Sequence, residues 1–184
     1  MRVAIFIGSP RLNGNTVTIA NSLVNKLSQK GIECRQFSLY KHKIEPCIDC
    51  RECKTDAMEC TKKDGMTVLY QNMEWADVLV FGTPIYWFGP SAQTKLLIDR
   101  FRPYFANKKL YGKRAALLLP AGSGAEDCDM TIEQFKRVFK ALGMDFIHAL
   151  ALQAYDEDDA LKHPELDYFV DDLASRICEE ELSE

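Results

Sequence analysis

The sequence predicts an α/β protein with a parallel sheet on three observations: short apolar runs alternate with segments of helical period, several runs are apolar throughout, and glycine or proline stands at the joins. Uninterrupted apolar strands suit a sheet covered by helices on both faces. The first strand is 3–7. Ala20, Leu23, Val24 and Leu27 then mark a helix, with Gly31 at its C-terminal cap. Strand 33–39 follows, then a helix carrying Met66, Leu69, Tyr70 and Met73, and strand 78–81. Pro90 can open a helix bearing Leu96, Leu97 and Phe101. Strand 115–119 leads to a helix marked by Phe135, Val138, Phe139 and Leu142 and closed by Gly143. Strand 146–152 leads to the last helix, with Leu166, Phe169, Val170 and Leu173. These stripes read as core, and the acidic end 179–184 reads as a frayed tail.

The chain has 184 residues, 47% of them hydrophobic and 27% charged, which suits one domain with a substantial core. A net charge of −4 with interspersed signs argues against a nucleic-acid binder, which would show a basic face. No apolar run reaches membrane-spanning length, and residues 3–7 lack the long apolar stretch and cleavage site of a signal peptide. A cytoplasmic location is expected. In such a reducing compartment seven cysteines point to metal or redox chemistry more than to a disulfide framework. Cys34, Cys128 and Cys178 read as buried small hydrophobes or ordinary surface thiols.

The other four, Cys47, Cys50, Cys53 and Cys60, form C-x2-C-x2-C followed six residues later by the fourth. Bacterial ferredoxins use that run to wrap a [4Fe–4S] cluster, whereas structural zinc usually draws two cysteine pairs from separated knuckles. Zinc on the same sulfurs, a local disulfide and unliganded thiols are the competing readings. The segment 41–63 is the one long irregular connection, and such loops are usually functional or disordered.

After the first strand comes Gly8-Ser9-Pro10-Arg11-Leu12-Asn13-Gly14-Asn15-Thr16, running into a helix. A strand–loop–helix start offers unpaired N–H groups and the positive end of a helix dipole to an anion. Ser9, Asn13, Asn15 and Thr16 can add hydrogen bonds, and Arg11 can offset phosphate charge. Neither Walker A nor G-x-G-x-x-G is present, so the nucleotide-hydrolysis and dinucleotide readings lose their signatures. The bland alternative is a polar turn with a good helix cap.

After the third strand stand Thr83, Pro84, Ile85, Tyr86, Trp87 and Phe88. Ligands of open parallel sheets sit beyond the carboxyl ends of the strands at the topological switch point, which in the order 2-1-3-4-5 lies between strands one and three. Phosphate contacts facing an aromatic wall suit a phosphorylated planar ring such as FMN. Gly122, Ser123 and Gly124, after the fourth strand, could bond the ring's polar edge or form a plain turn.

Together, Gly-Ser-Pro-Arg-x-x-Gly-Asn-Thr, Cys-x2-Cys-x2-Cys-x6-Cys and Gly-Thr-Pro-Ile-Tyr-Trp resemble the iron–sulfur flavoprotein branch of the NAD(P)H-dependent FMN reductase-like family, over nearly the whole chain. The resemblance implies a flavodoxin-like three-layer sandwich with a five-stranded parallel sheet in the order 2-1-3-4-5, as a single domain 1–184 with the cysteine loop inserted at 41–63. It implies FMN with its phosphate on Ser9, Arg11, Asn13, Gly14, Asn15 and Thr16 and its ring lined by Pro84, Ile85, Tyr86, Trp87 and Phe88. It also implies iron on Cys47, Cys50, Cys53 and Cys60, near the flavin of a partner subunit in a homodimer or homotetramer.

The function expected is electron transfer between a ferredoxin-like donor and a small acceptor through a [4Fe–4S] cluster and FMN, with no residue itself catalytic. The alternatives are a cluster-free NAD(P)H-dependent FMN or quinone reductase, and a zinc- or redox-sensing module. Lys41, Lys43, Arg51, Lys54, Lys62 and Lys63 could form a docking patch for an acidic donor or simply a solvated loop. Ser123 lacks the hydrolase context Gly-x-Ser-x-Gly, and His42, His148 and His163 have no ligand or triad spacing; His148 reads as a core residue.

Overall fold

The computed structural model describes residues 1–179. Along the chain run β1 (Arg2–Ile7), α1 (Asn15–Gln29), β2 (Glu33–Ser38), α2 (Met66–Trp75), β3 (Val78–Gly82), the two-residue strands β4 (Ile85–Tyr86) and β5 (Gly89–Pro90), and α3 (Ala92–Asp99). There follow α4 (Arg102–Asn107), β6 (Arg114–Ala121), α5 (Asp129–Leu142), β7 (Asp145–Gln153), α6 (Asp159–Lys162) and α7 (Leu166–Cys178). Five strands form one parallel sheet in the order β2-β1-β3-β6-β7, and β4 pairs antiparallel with β5. Counting only the sheet strands, this is the expected order 2-1-3-4-5, and the fold is flavodoxin-like.

Strand alternation sorts the core into two layers. Val3, Ile5, Val78, Val80, Ala116 and Leu118 pack with Ile19, Leu23 and Leu27 of α1 and Val170, Leu173 and Ile177 of α7. On the opposite face Ala4, Phe6, Leu79, Phe81, Leu117 and Leu119 pack with Met66, Leu69 and Met73 of α2 and Phe135, Phe139 and Leu142 of α5. Phe81 is the hub of an aromatic cluster, with the rings of Phe6, Phe135 and Phe139 at 5.6, 5.4 and 5.8 Å. Burying one such ring is worth about 1.5–3 kcal/mol. No helix among the described residues is long and apolar enough to cross a membrane.

Several local expectations shift. Strand 33–39 stops at Ser38, because Leu39 turns inward to open a short 3-10 turn. Pro90 does not open α3. It pairs with Ile85, and Ser91 caps the helix by accepting from Thr94 N–H at 3.3 Å. Phe101 lies beyond that helix, at the start of α4. His148 is half-buried on the outer strand β7 instead of in the core; burial holds its pKa below the ordinary value. The acidic tail 180–184 lies outside the described residues.

Candidate functional site

The carboxyl ends of β1, β3 and β6 are tied together, since Gly8 N–H donates to Gly82 O at 2.7 Å and Thr83 N–H to Leu118 O at 3.0 Å. Ser91 Oγ donates to Gly8 O at 2.6 Å. A Cβ on Gly8 would collide with Thr94 Oγ1 and reach 3.0 Å from Ser91 Oγ, so the loop passes α3 only as glycine. At the edge this creates, the loops after β1, β3, β6 and β7 enclose a cavity of about 540 Å³. That lies within the usual range of ligand pockets.

Of the expected residues, Ser9, Arg11, Gly14, Asn15, Thr16, Pro84, Ile85, Tyr86, Gly122 and Ser123 line this cavity. Ser9 is buried and its Oγ accepts from Arg11 N–H at 3.2 Å, which curls the loop. α1 then starts at Asn15 with no side chain capping it and no acidic residue in its first turn. Val17 and Thr18 N–H return to Gly14 O, so those of Asn15 and Thr16 are left for an anion.

Four expected residues stand outside. Asn13 is exposed and does not line the cavity, nor does Gly124. Trp87 and Phe88 form the tip of the β4–β5 hairpin, both left-handed at φ 51° and 63°, as a two-residue turn of this type demands. Their side chains are 95% and 55% exposed beside a different groove, with Met130 and Arg137. Sequence adjacency to Tyr86 was misleading because the hairpin reverses the chain after it. Asn15 lines the cavity, but its side chain is committed elsewhere: Nδ2 donates to Asp156 O at 2.9 Å, and Oδ1 accepts from Ala160 N–H at 3.1 Å. It anchors the loop after β7 instead of bonding an anion through its side chain.

That loop is what the sequence reading missed. Pro120, Asp127, Ala154, Tyr155 and Asp156 also line the cavity. Tyr155 lies over Gly122, where a Cβ would stand 2.6 Å from its ring, so glycine makes room for a second aromatic beside Tyr86 in the lining. The signal available was position alone, an aromatic just past the end of the fifth strand. Asp127 and Asp156 add carboxylates to the lining, acceptors for hydroxyl donors.

The cysteines occupy a separate place. Between β2 and α2 the chain runs through a second 3-10 turn, Glu52–Lys54, with Asp49, Arg51 and Met58 in left-handed conformations at φ 51°, 66° and 47°. Such outliers in non-glycine residues persist where surrounding structure enforces them. Cys47, Cys50, Cys53 and Cys60 line one cavity with Arg100 and Arg102. No three His, Cys, Asp or Glu side chains among the described residues are placed to share a single metal ion. Cys53 is buried, which pushes its thiol upward in pKa against the pull of Arg102. Burial holds the thiols of Cys34 and Cys128 up at about 11, so both behave as small hydrophobes. The two cavities share no lining residue. In the basic run, Lys62 is paired with Glu45 at 2.8 Å and Arg51 with Asp49 at 3.5 Å, while Lys41, Lys43, Lys54 and Lys63 are exposed.

The profile of the NADPH-dependent FMN reductase family matches residues 1–156. The chain belongs to that family. An iron–sulfur flavoprotein of Methanocaldococcus jannaschii is 33% identical over 139 residues, 76% of this chain and 72% of that protein. Another from the same organism is 36% identical over 140 residues, 73% and 70% of the two chains. This member of the FMN reductase family therefore falls in its iron–sulfur flavoprotein branch. Among solved structures, an NAD(P)H:quinone oxidoreductase from Methanothermobacter marburgensis has a TM-score of 0.70 over 98% of this chain and 99% of that one, at 19% identity, a likeness of fold. As a family member the protein is a flavin-dependent oxidoreductase that uses FMN.

Proposed function

We propose that this FMN-dependent oxidoreductase passes electrons between a ferredoxin-like donor and a small acceptor, with FMN in the four-loop cavity and a [4Fe–4S] cluster on Cys47, Cys50, Cys53 and Cys60. The 184 residues act as one flavodoxin-like unit with the cysteine segment 41–63 inserted. The observation that carries the reading is the gathering of four thiols around one cavity lined by three arginines, Arg51, Arg100 and Arg102. The basic side chains of that lining, Arg51, Lys62, Arg100 and Arg102, offset the charge of four thiolates, and the C-x2-C-x2-C run is the one ferredoxins use for a polynuclear centre.

In the flavin cavity, Ser9, Arg11 and the N–H groups of Asn15 and Thr16 hold the phosphate. Tyr86 and Tyr155 flank the ring, Gly122 and Ser123 offer polar contacts to its edge, and Asp127 and Asp156 accept from ribityl hydroxyls. When bound, FMN supplies a centre that exchanges electrons in pairs or singly, and a cluster supplies a one-electron relay. The chain's part is to fix their orientation and limit water.

A second reading, a cluster-free NAD(P)H-dependent FMN or quinone reductase, is favoured by one observation: the flavin cavity borrows nothing from the cysteine segment. The free cysteines agree with a cytoplasmic setting, and the exposed Trp87 and Phe88 support a homo-oligomer. The deciding experiment is iron, sulfide, zinc and flavin content of protein purified without oxygen, followed by reduction with NADPH or with reduced ferredoxin. About four irons and one FMN per chain, with the faster reduction by ferredoxin, is the expected result. FMN without metal after anaerobic reconstitution, reduced promptly by NADPH, moves the protein to the second reading.

A further inference from the structure

Arg100 follows α3 as its C-terminal cap and is only 2% exposed. Its Nη1 donates to Asp64 Oδ2 at 2.7 Å and to Glu45 O at 2.8 Å; its Nη2 donates to Asp64 Oδ1 at 3.2 Å and to Cys60 Sγ at 3.3 Å. Glu45 lies just before the first cysteine of the motif, and Asp64 just after the last. Asp64 strengthens the same knot, its Oδ2 accepting from Glu45 N–H at 2.9 Å and its Oδ1 from Met66 N–H at 3.0 Å, where α2 begins. One buried guanidinium thus fastens both roots of the cysteine loop to the rigid core and directs an N–H to one of the four sulfurs.

A loop clamp alone would not need a donor on sulfur. A guanidinium stays charged in a protein, and Arg100 is held in place by its 2.7 Å pairing with Asp64, whose side chain is also buried. A buried cation that donates to a ligand sulfur favours the more negative, reduced form of an iron–sulfur centre. Its paired Asp64 is the counter-charge, so the guanidinium is the charge bonded directly to the sulfur.

We propose that Arg100 is a positioning residue for the centre held by Cys47, Cys50, Cys53 and Cys60, and that its hydrogen bond to Cys60 raises the reduction potential of that centre. The inference rests on the cluster reading above.

The test compares wild type with Arg100→Gln, Arg100→Lys and the double variant Asp64→Asn/Arg100→Met, which leaves no unpaired buried charge if the first fails to fold. Full-length proteins are reconstituted anaerobically with iron and sulfide. Iron content, FMN affinity and the midpoint potential by spectroelectrochemistry are read. The uncharged variants are expected to hold FMN normally while the reduced-to-oxidised ratio of the cluster falls at least tenfold at fixed potential, about 59 mV for one electron. Arg100→Lys, which keeps a charge there, should recover most of the shift. Uncharged variants that hold no iron while Arg100→Lys does would also support the positioning role. Iron content and potential equal to wild type in both uncharged variants would overturn this inference alone. Wild type that takes up neither iron nor sulfide would overturn the cluster reading and this inference with it.

Discussion

Replacing Arg11 with alanine is expected to weaken FMN about tenfold and to leave riboflavin within about twofold. Arg11 is exposed at the mouth of the cavity, and no ion pair among the described residues engages its guanidinium. Its stem packs on Gly14, where an added Cβ would stand 2.8 Å from Arg11 Cβ. Alanine keeps that Cβ and the backbone N–H that donates to Ser9 Oγ, so the loop retains its curl. What is lost is one charge-assisted contact, worth about 1.5–3 kcal/mol. Exposure to water and salt brings it just below that range, to about 1.4 kcal/mol, or a factor of ten. Titration of apoprotein into FMN and riboflavin, followed by flavin fluorescence at two salt concentrations, gives both affinities. The FMN deficit should shrink as salt rises. Equal weakening of the two ligands would refute the assignment of Arg11 to phosphate.

Asn15→Ala should instead weaken FMN and riboflavin alike, because it releases Asp156 and Ala160 and with them the loop carrying Tyr155; the same titration distinguishes the two patterns. Cys53→Ser is expected to abolish iron binding and to leave FMN affinity within about twofold, since the two cavities share no lining residue; parallel loss of both cofactors on metal and flavin analysis would contradict that separation. Gly8→Ala should destabilise the protein by about 1–3 kcal/mol through overpacking against Thr94 and Ser91, read as a lowered urea midpoint, with Thr94→Ala restoring part of the loss. His148 has a folded pKa below its ordinary value, so the unfolded chain binds the proton more readily. Its contribution to stability is therefore complete above about pH 6.5 and declines as pH falls; His148→Gln should flatten that part of the urea-midpoint profile, and an unchanged slope would remove His148 as the cause.

The sequence by itself determined the class of the sheet, because strands such as Val3 to Ile7 and Val78 to Phe81 are apolar throughout and only a doubly covered sheet buries both their faces; the strand order was implied by the family resemblance of the motifs. It also located the loop from Ser9 to Thr16 and the four cysteines, since both features are local in the chain. Only the tertiary structure decided which neighbours in sequence are neighbours in space. It turned Trp87 and Phe88 away from Tyr86 through a tight hairpin, brought Tyr155 from beyond the fifth strand over Gly122, and drew the side chain of Asn15 to Asp156. It also set Arg100, one residue past the end of α3, against Cys60 on a segment forty positions earlier. Hydrophobic period is written along the chain, whereas these contacts depend on where separate elements meet once the core has packed, which no local pattern encodes.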